Sequence, residues 1–257
     1  MPKYFVRPDD IDVSNDSVIL SGENAKHLIT SLRASSGDLV IVCDGQCMDY
    51  HCEIAETATG KIKQCTLKIR SKHPVSEPHL DITLYQALPK SNKMEYIIQK
   101  CVEMGIYSIV PVYTDNSSIK ELSHSKMTRY KKISEAAAKQ SMRGFIPQIG
   151  EPVTFEQAIT ASAHKAFVFA PYENEHQVSI KDLLFRHDLA RINTAAFFIG
   201  SEGGFSDKEV DMLIRANIPR VSLGARILRT ETAGFAILTI LMYESNELSL
   251  NRSERYR

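Results

Sequence analysis

From residue 80 onward the sequence alternates short apolar runs with stretches of helical periodicity, and that alternation constrains the architecture more than any other feature. The runs LDITLYQAL, IYSIVPVY, KAFVFA, AAFFIG and RVSLG read as strands. Between the first two, SNKMEYIIQKCVEMG sets Met94, Ile97, Ile98, Cys101 and Met104 at helical spacing, so one face of that helix is apolar. A basic helical stretch over 125–142, the segment FEQAITA, a helix from Ser206 and a closing helix through TAGFAILTILMYES complete the series. Strands separated by helices need crossover connections, which predicts an α/β domain built on a largely parallel sheet.

The first seventy residues have a different texture. YFVR, SVILS, DLVIVCDG, DYHCEIAE and CTLKIR are short strand-like runs parted by Gly, Asn and Asp, with one helical turn around GENAKHLI. Strands at that spacing predict a small barrel. SKHPVSEPH, residues 71–79, holds two prolines and no apolar period and reads as a linker. The expected domains are therefore 1–73 and 74–257.

Charge and cysteine usage narrow the setting. Lys and Arg total 31 and so do Asp and Glu, so the formal net charge is zero and a polyanion must be met by local clusters. Over 120–143, Lys120, Lys126, Arg129, Lys131, Lys132, Lys139 and Arg143 face only Glu121 and Glu135. Lys61, Lys63, Lys68, Arg70 and Lys72 form a second cluster. A single charged helix face is commonly just solvated, but two clusters in a neutral chain point to RNA. Five cysteines, an odd number, and an N-terminal MPKYFVRPDD without an apolar core fit a reducing, cytoplasmic compartment. The longest apolar run, FAILTILMY at 235–243, is too short for a membrane span, so no membrane partner is expected.

Two possible reactive groupings dissolve on inspection. CDGQCMDYHC gathers Cys43, Cys47, His51 and Cys52, yet His51 and Cys52 on a strand point to opposite faces and the spacing matches no zinc pattern. No metal is expected. Cys101 shares the apolar helix face with Ile97 and Ile98 and reads as core.

The glycines of IGSEGGFSDKEV, residues 199–210, carry more. Gly200, Gly203 and Gly204 lie just past a strand, where backbone must turn tightly or approach a ligand. Their order is neither the dinucleotide fingerprint nor a P-loop, and Glu202 would repel a pyrophosphate. Phe198 stands where a nucleophile elbow needs glycine, so Ser201 is no hydrolase nucleophile. Ser206 with Glu209 forms a capping box and Phe205 with Val210 a hydrophobic staple, which fixes the start of the next helix just after the loop. In an open α/β sheet the carboxyl ends of the strands are where ligands bind. A second glycine-bearing strand end follows at LGARILRTETAGFAIL, residues 223–238, where Gly224 ends a strand, Arg226 and Arg229 stand close to Glu231, and Thr230 is expected to cap the closing helix. Two such ends imply one shared pocket.

IGSEGGFSDKEV followed by SLGARILRTETA resembles the paired motifs of the RsmE family, SPOUT-class methyltransferases that make 3-methyluridine in bacterial 16S ribosomal RNA. HLITSLRASSGD, KSNKMEYIIQKCVEMGIYSIVP and SEAAAKQSMRGFIP extend the resemblance over essentially the whole chain; Ser201 departs from it, since the family most often has proline there. The resemblance implies a PUA-like RNA-binding β-barrel followed by a SPOUT α/β domain with a deep trefoil knot, homodimers, and S-adenosylmethionine as cofactor. By the same resemblance Gly200, Ser201, Glu202, Gly203, Gly204, Leu223, Gly224, Ile227, Leu228, Arg229, Thr232 and Ala233 would hold the cofactor. Methylating uridine N3 requires loss of a weakly acidic proton, so a base or an anion-stabilising donor is needed. Arg143 and Arg229 are the candidate donors and Glu231 the candidate base. Arg33, Lys126, Arg129, Lys131, Lys132 and Gln140 are expected to contact the RNA, with Asn92 as a second candidate base reader. The alternatives are methylation of a ribose 2'-hydroxyl or another RNA, or a non-catalytic RNA-binding assembly factor.

Overall fold

The computed structural model describes residues 1–58 and 63–249. The chain packs as two compact units, Met1–Glu77 with Ala138–Ile146, and Pro78–Ala137 with Pro147–Arg257.

The first unit is a six-stranded mixed sheet. Its strands are β1 (Lys3–Phe5), β2 (Ile11–Asp12), β3 (Ser17–Ser21), β4 (Leu39–Cys43), β5 (Met48–Ala58) and β6 (Gln64–Pro74), in the order β1-β4-β5-β6-β3-β2. The β1–β4 pair is parallel and the others are antiparallel. Alternation sets the faces: Val18 and Leu20 are buried while Ile19 between them is exposed. These two residues join Val40, Val42, Ile54 and Leu67 in one apolar cluster beneath the short helix α1 (Gly22–Lys26). Register shifts between His51 and Cys52 and between Ile54 and Glu56 interrupt the long β5–β6 ladder, the kind of irregularity that adds twist.

The second unit follows the alternation read from the sequence. Its elements run β7 (Asp81–Ala87), α2 (Lys93–Glu103), β8 (Ser108–Tyr113), α3 (His124–Gln140), β9 (Gln148–Ile149), β10 (Val153–Thr154), α4 (Phe155–Ser162), β11 (Phe167–Pro171), α5 (Ile180–Phe185), β12 (Thr194–Ile199), α6 (Asp207–Arg215), β13 (Arg220–Val221) and α7 (Thr230–Glu244). The sheet order is β10-β8-β7-β12-β11-β13 with β9 beside β8, and every pair is parallel. From β7 the chain builds outward through β8 and β10, then returns to build the other half, so β7 and β12 flank the point where strand order reverses. A crevice at the carboxyl ends of those two strands is the expected ligand position.

Aromatic rings fill one side of this sheet. Tyr85 stacks on Phe198 at 4.8 Å between centroids, and Phe155 meets Phe198 at 5.7 Å and Phe205 at 5.5 Å. On α7, Gly234 admits close approach to the sheet, since a Cβ there would already touch Leu84 and Ile199 at 3.7 Å. That helix is apolar around most of its circumference: Ile237, Leu238 and Leu241 are buried, whereas Tyr243 is 69% exposed. The basic helix ends at Gln140, two residues before the expected 142, because Met142 turns left-handed at φ 59°. β9, β10 and α5 were not legible from apolar runs; α5 is six residues long, but Ser179 and Asp182 form a capping box that marks its start.

Candidate active site

The loop after β12 folds back on itself. A Cβ on Gly200 would sit 3.0 Å from the backbone carbon of Gly204, and the Gly204 amide donates to Ser201 O at 3.0 Å. Gly204 takes φ +65°, and a Cβ there would overlap Glu173 Oε1. Glycine is favoured at both positions for distinct reasons, backbone crowding at one and a left-handed turn at the other. The loop's far end is fastened as the sequence predicts: Ser206 Oγ accepts from the Glu209 amide at 3.2 Å and the Glu209 carboxylate accepts from the Ser206 amide at 2.8 Å. That carboxylate, only 3% exposed, also accepts from the Asp115 amide at 2.8 Å, while Asn116 Nδ2 donates to Gly203 O at 2.8 Å. The turn after β8 therefore braces the glycine loop.

The second loop leaves β13 alongside residues 178–180, with Ser222 N donating to Val178 O at 2.8 Å and Ile180 N to Ser222 O at 3.0 Å. Gly224 takes φ +99° in open space. The expected capping role of Thr230 is corrected here: Arg229 occupies the N-cap position and makes no side-chain cap bond, whereas Thr230 is the first helical residue. Its hydroxyl donates to Gly200 O at 2.7 Å and accepts from Gln86 Nε2 at 3.0 Å. A long-range bond between loops has displaced the local one.

Between the loops lies a cleft whose empty space is about 650 Å³, open solvent at the mouth included. Of the residues expected to hold a cofactor, Gly200, Ser201, Gly204, Leu223, Gly224, Ile227, Leu228 and Ala233 line it. Glu202, Gly203 and Arg229 line an adjoining hollow with Lys93. Thr232 lines neither; it is exposed in the first turn of α7. Tyr172 and Glu173 line the cleft without having been singled out, and Arg226, noted in the sequence only for its nearness to Glu231, lines it too. The end of KAFVFA, at the same carboxyl edge as the other two strand ends, was the available signal for the first two.

At the mouth the charges pair differently from expectation. Glu231 was read against Arg226 and Arg229, but its Oε2 lies 3.5 Å from Lys93 Nζ, and Lys93 also binds Glu202 Oε1 at 2.8 Å. Lys93 opens α2 and so reaches both carboxylates from across the hollow. Burial pushes the Glu202 carboxyl up, but the Lys93 hydrogen bond, loop amides and the Lys93 charge outweigh it and hold the group below its ordinary value. The Glu202 hydrogen bond is the largest of the interactions that raise the Lys93 ammonium above its ordinary value. Glu231 Oε2 is buried and its one partner is Lys93 Nζ at 3.5 Å, a long ion pair that leaves acceptor capacity.

Arg143 belongs to the first unit. Only 6% exposed, it binds Glu77 Oε2 through Nε at 2.7 Å and lies 4.8 Å over the Phe145 ring. Glu77 Oε1 also accepts from Gly144 N at 2.6 Å. Arg33 is exposed with left-handed φ 54°. Lys126, Lys132 and Gln140 are exposed on α3, whose buried stripe is Met127, Tyr130, Ser134, Ala137 and Ala138. Arg129 and Lys131, also exposed, are engaged by Glu95 at 2.7 Å and Glu151 at 2.9 Å. Asn92 precedes α2 and is exposed, without a side-chain cap bond. In the second basic cluster Arg70 pairs with Glu53 at 2.7 Å, and Lys61 lies outside the described residues.

The chain joins a parallel sheet, a cleft between two glycine-bearing loops at its switch point, and carboxylates with a lysine in the adjoining hollow; the model of the RNA methyltransferase domain matches residues 76–242 and places it in that class. Ribosomal RNA small subunit methyltransferase E of Buchnera aphidicola subsp. Acyrthosiphon pisum is 30% identical, covering 94% of this chain and 92% of its own length. The Bacillus subtilis protein of that name is 26% identical over 96% of this chain and 98% of its own. The chain belongs to the ribosomal RNA small subunit methyltransferase E family. Among solved structures, a Legionella pneumophila protein described as a methyltransferase with bound cofactor SAM superposes with TM-score 0.81, at 27% identity over 94% of this chain and 96% of that one. The Neisseria gonorrhoeae ribosomal RNA small subunit methyltransferase E bound to S-adenosyl methionine superposes with TM-score 0.82, at 23% identity over 95% and 97% of the two chains, and shares the fold.

Proposed function

We propose that this protein transfers a methyl group from S-adenosylmethionine to N3 of a uridine in 16S ribosomal RNA of the small subunit, in the cytoplasm. The observation that carries the reading is the cleft formed where two glycine-bearing loops meet beyond β12 and β13, lined by glycines and apolar residues together with Glu173, Arg226 and a few hydroxyl groups. An adenine offers weak donors and acceptors that suit backbone groups, and the Glu173 carboxylate on the lining suits a ligand that carries positive charge. The loop is shaped to leave that room, since a side chain at Gly200 or Gly204 would collide with backbone or with Glu173. Bound there, S-adenosylmethionine supplies an electrophilic methyl carbon on a sulfonium.

The chain's own residues then do the rest. Glu231, with acceptor capacity left at Oε2, takes the N3 proton of uridine. Lys93 holds Glu231 and Glu202 in register across the hollow. Arg229 donates to the uracil oxygens that gain charge as the proton leaves. Arg33, Lys126, Arg129, Lys131, Lys132 and Gln140 grip the RNA.

Three finer features belong to the same reading. The six-stranded unit is a PUA-like barrel for RNA. The segment 222–230, tied to Val178, Ile180 and Gly200, passes through the chain as a deep trefoil knot. A second copy covers the partly exposed face of α7 formed by Phe235, Ala236, Thr239, Ile240 and Tyr243, because such a face is too apolar for solvent.

The test is transfer of label from S-adenosylmethionine to 16S RNA, free and in small subunits from cells lacking the enzyme, followed by nucleoside analysis. Labelled 3-methyluridine supports the proposal. Label on a ribose hydroxyl, or none on any RNA with cofactor bound, overturns it.

A further inference from the structure

Gln86 is a polar side chain in the middle of an apolar sheet. It lies at the carboxyl end of β7, beside Ile199 of β12, and is 0% exposed. Its Nε2 donates to Ala87 O at 3.0 Å and to Thr230 Oγ1 at 3.0 Å. Ala87 O can only accept, so the amide cannot be turned over without setting two oxygens against each other. That fixes the direction of the next bond: Thr230, receiving a proton from Gln86, spends its own on Gly200 O at 2.7 Å. The three groups form a one-way chain from the sheet, through the first residue of α7, to the first glycine of the other loop. Gln86 Oε1 is left without a hydrogen bond, facing the Gly234 backbone with 3.6 Å to a hypothetical Cβ. A buried amide oxygen without a donor costs free energy, so the gain must lie elsewhere.

We infer that Gln86 and Thr230 are positioning residues that lock the two cleft loops together and hold the Gly200–Gly204 loop open for the cofactor. Neither local signal nor packing requires this arrangement. α7 has Arg229 at its N-cap position, and a leucine would fill the Gln86 site without an orphaned oxygen. What the chain provides is a fixed Gly200 carbonyl, and with it a fixed spacing between the loops 200–204 and 223–230, whose residues line the cleft and its adjoining hollow. The inference rests on the cleft being the S-adenosylmethionine site, and its test separates the two.

Thr230→Val keeps the volume and removes both of the Thr230 hydroxyl's bonds; Thr230→Ser restores the hydroxyl; Gln86→Leu removes the bonds to Ala87 O and Thr230 and leaves the Thr230–Gly200 bond. S-adenosylmethionine affinity is measured by calorimetry, RNA affinity by filter binding, and amide exchange of residues 200–204 in the ligand-free protein by mass spectrometry. The expected result is a tenfold or greater loss of S-adenosylmethionine affinity in Thr230→Val, a smaller loss in Gln86→Leu, recovery to within threefold in Thr230→Ser, and unchanged RNA affinity. Exchange in the loop should accelerate in Thr230→Val and return in Thr230→Ser. If Thr230→Val exchanges and binds like the native protein, the lock is wrong. If the native protein fails to bind S-adenosylmethionine, the cofactor reading fails, while loop exchange still decides whether the lock exists.

Discussion

Replacing Glu209 should unfasten the glycine loop after β12 at a cost that can be worked out from its two acceptor oxygens. Oε1 accepts from Asp115 N and Oε2 from Ser206 N, each at 2.8 Å, so Glu209→Ala strands two part-buried amides. An unsatisfied buried donor costs about 1–3 kcal/mol. Partial burial favours the lower half of that range, giving a loss of about 2–4 kcal/mol for the alanine variant. Glu209→Gln keeps one acceptor oxygen and turns an amide group toward the other donor, so it should lose about half as much. For a chain of this size, each kcal/mol moves the melting temperature by roughly 2–4 °C, so the alanine variant should melt on the order of 10 °C lower. Urea titration followed by circular dichroism, with thermal melts alongside, measures both variants. The ordering native, Gln, Ala is the essential result; if both variants fall within about 0.5 kcal/mol of the native protein, as surface substitutions do, the bracing role of Glu209 is refuted.

Gly200→Ala should weaken S-adenosylmethionine binding by at least tenfold with little change in RNA affinity, since its Cβ would press on Gly204 backbone; unaltered calorimetry would contradict this. Lys93→Met should raise the titration midpoint of the Glu202 carboxyl, observable by carbon-detected NMR. Because that carboxyl is held below its ordinary value, its stabilising contribution is present above the ordinary carboxylate range and is lost as pH falls through the lowered value; a midpoint that stays put would deny Lys93 its part. On α3, Lys126→Ala and Lys132→Ala should each flatten the salt dependence of RNA binding by about 0.7–0.9 in slope, with smaller effects from Arg129→Ala and Lys131→Ala, whose charges are engaged by Glu95 and Glu151. Burial pushes the Cys101 thiol up to about 12, so a thiol reagent at pH 8 should leave it unlabelled in the native protein; labelling there in peptide maps would disprove its core placement.

The elements most legible in the sequence were those whose signals are local. The alternation after residue 80 fixed the parallel sheet, and Ser206 with Glu209 located the start of α6. The glycines at 200, 203, 204 and 224 located both loops because their reasons, a tight fold-back and positive φ, act over a few residues. What escaped depends on partners far along the chain. Thr230 looked like a cap because it precedes an apolar helix, yet Gly200 and Gln86 claim its hydroxyl. Glu231 looked like a partner for nearby arginines, but Lys93 reaches it from another helix. Gln86 was visible only as a polar letter in LDITLYQAL, and nothing in its neighbours says what it binds. Residues 138–142 read as the end of the basic helix, whereas 138–146 packs with the first unit through Glu77, Lys3 and Cys47.

The central pairing of β7 with β12 has a consequence for how this protein comes into being. Loop closure must be completed before such a distant pair rewards it, so a sheet of this kind forms slowly. During synthesis, β7 emerges long before its neighbour exists and must wait with an apolar edge open. The cleft itself needs Gly200, then Thr230, then the helix that carries Thr230, so it is the last part of the unit to be made. A chain stopped short of α7 would therefore have most of its sheet and none of its lock, and cofactor capture should mark the moment at which this unit is assembled.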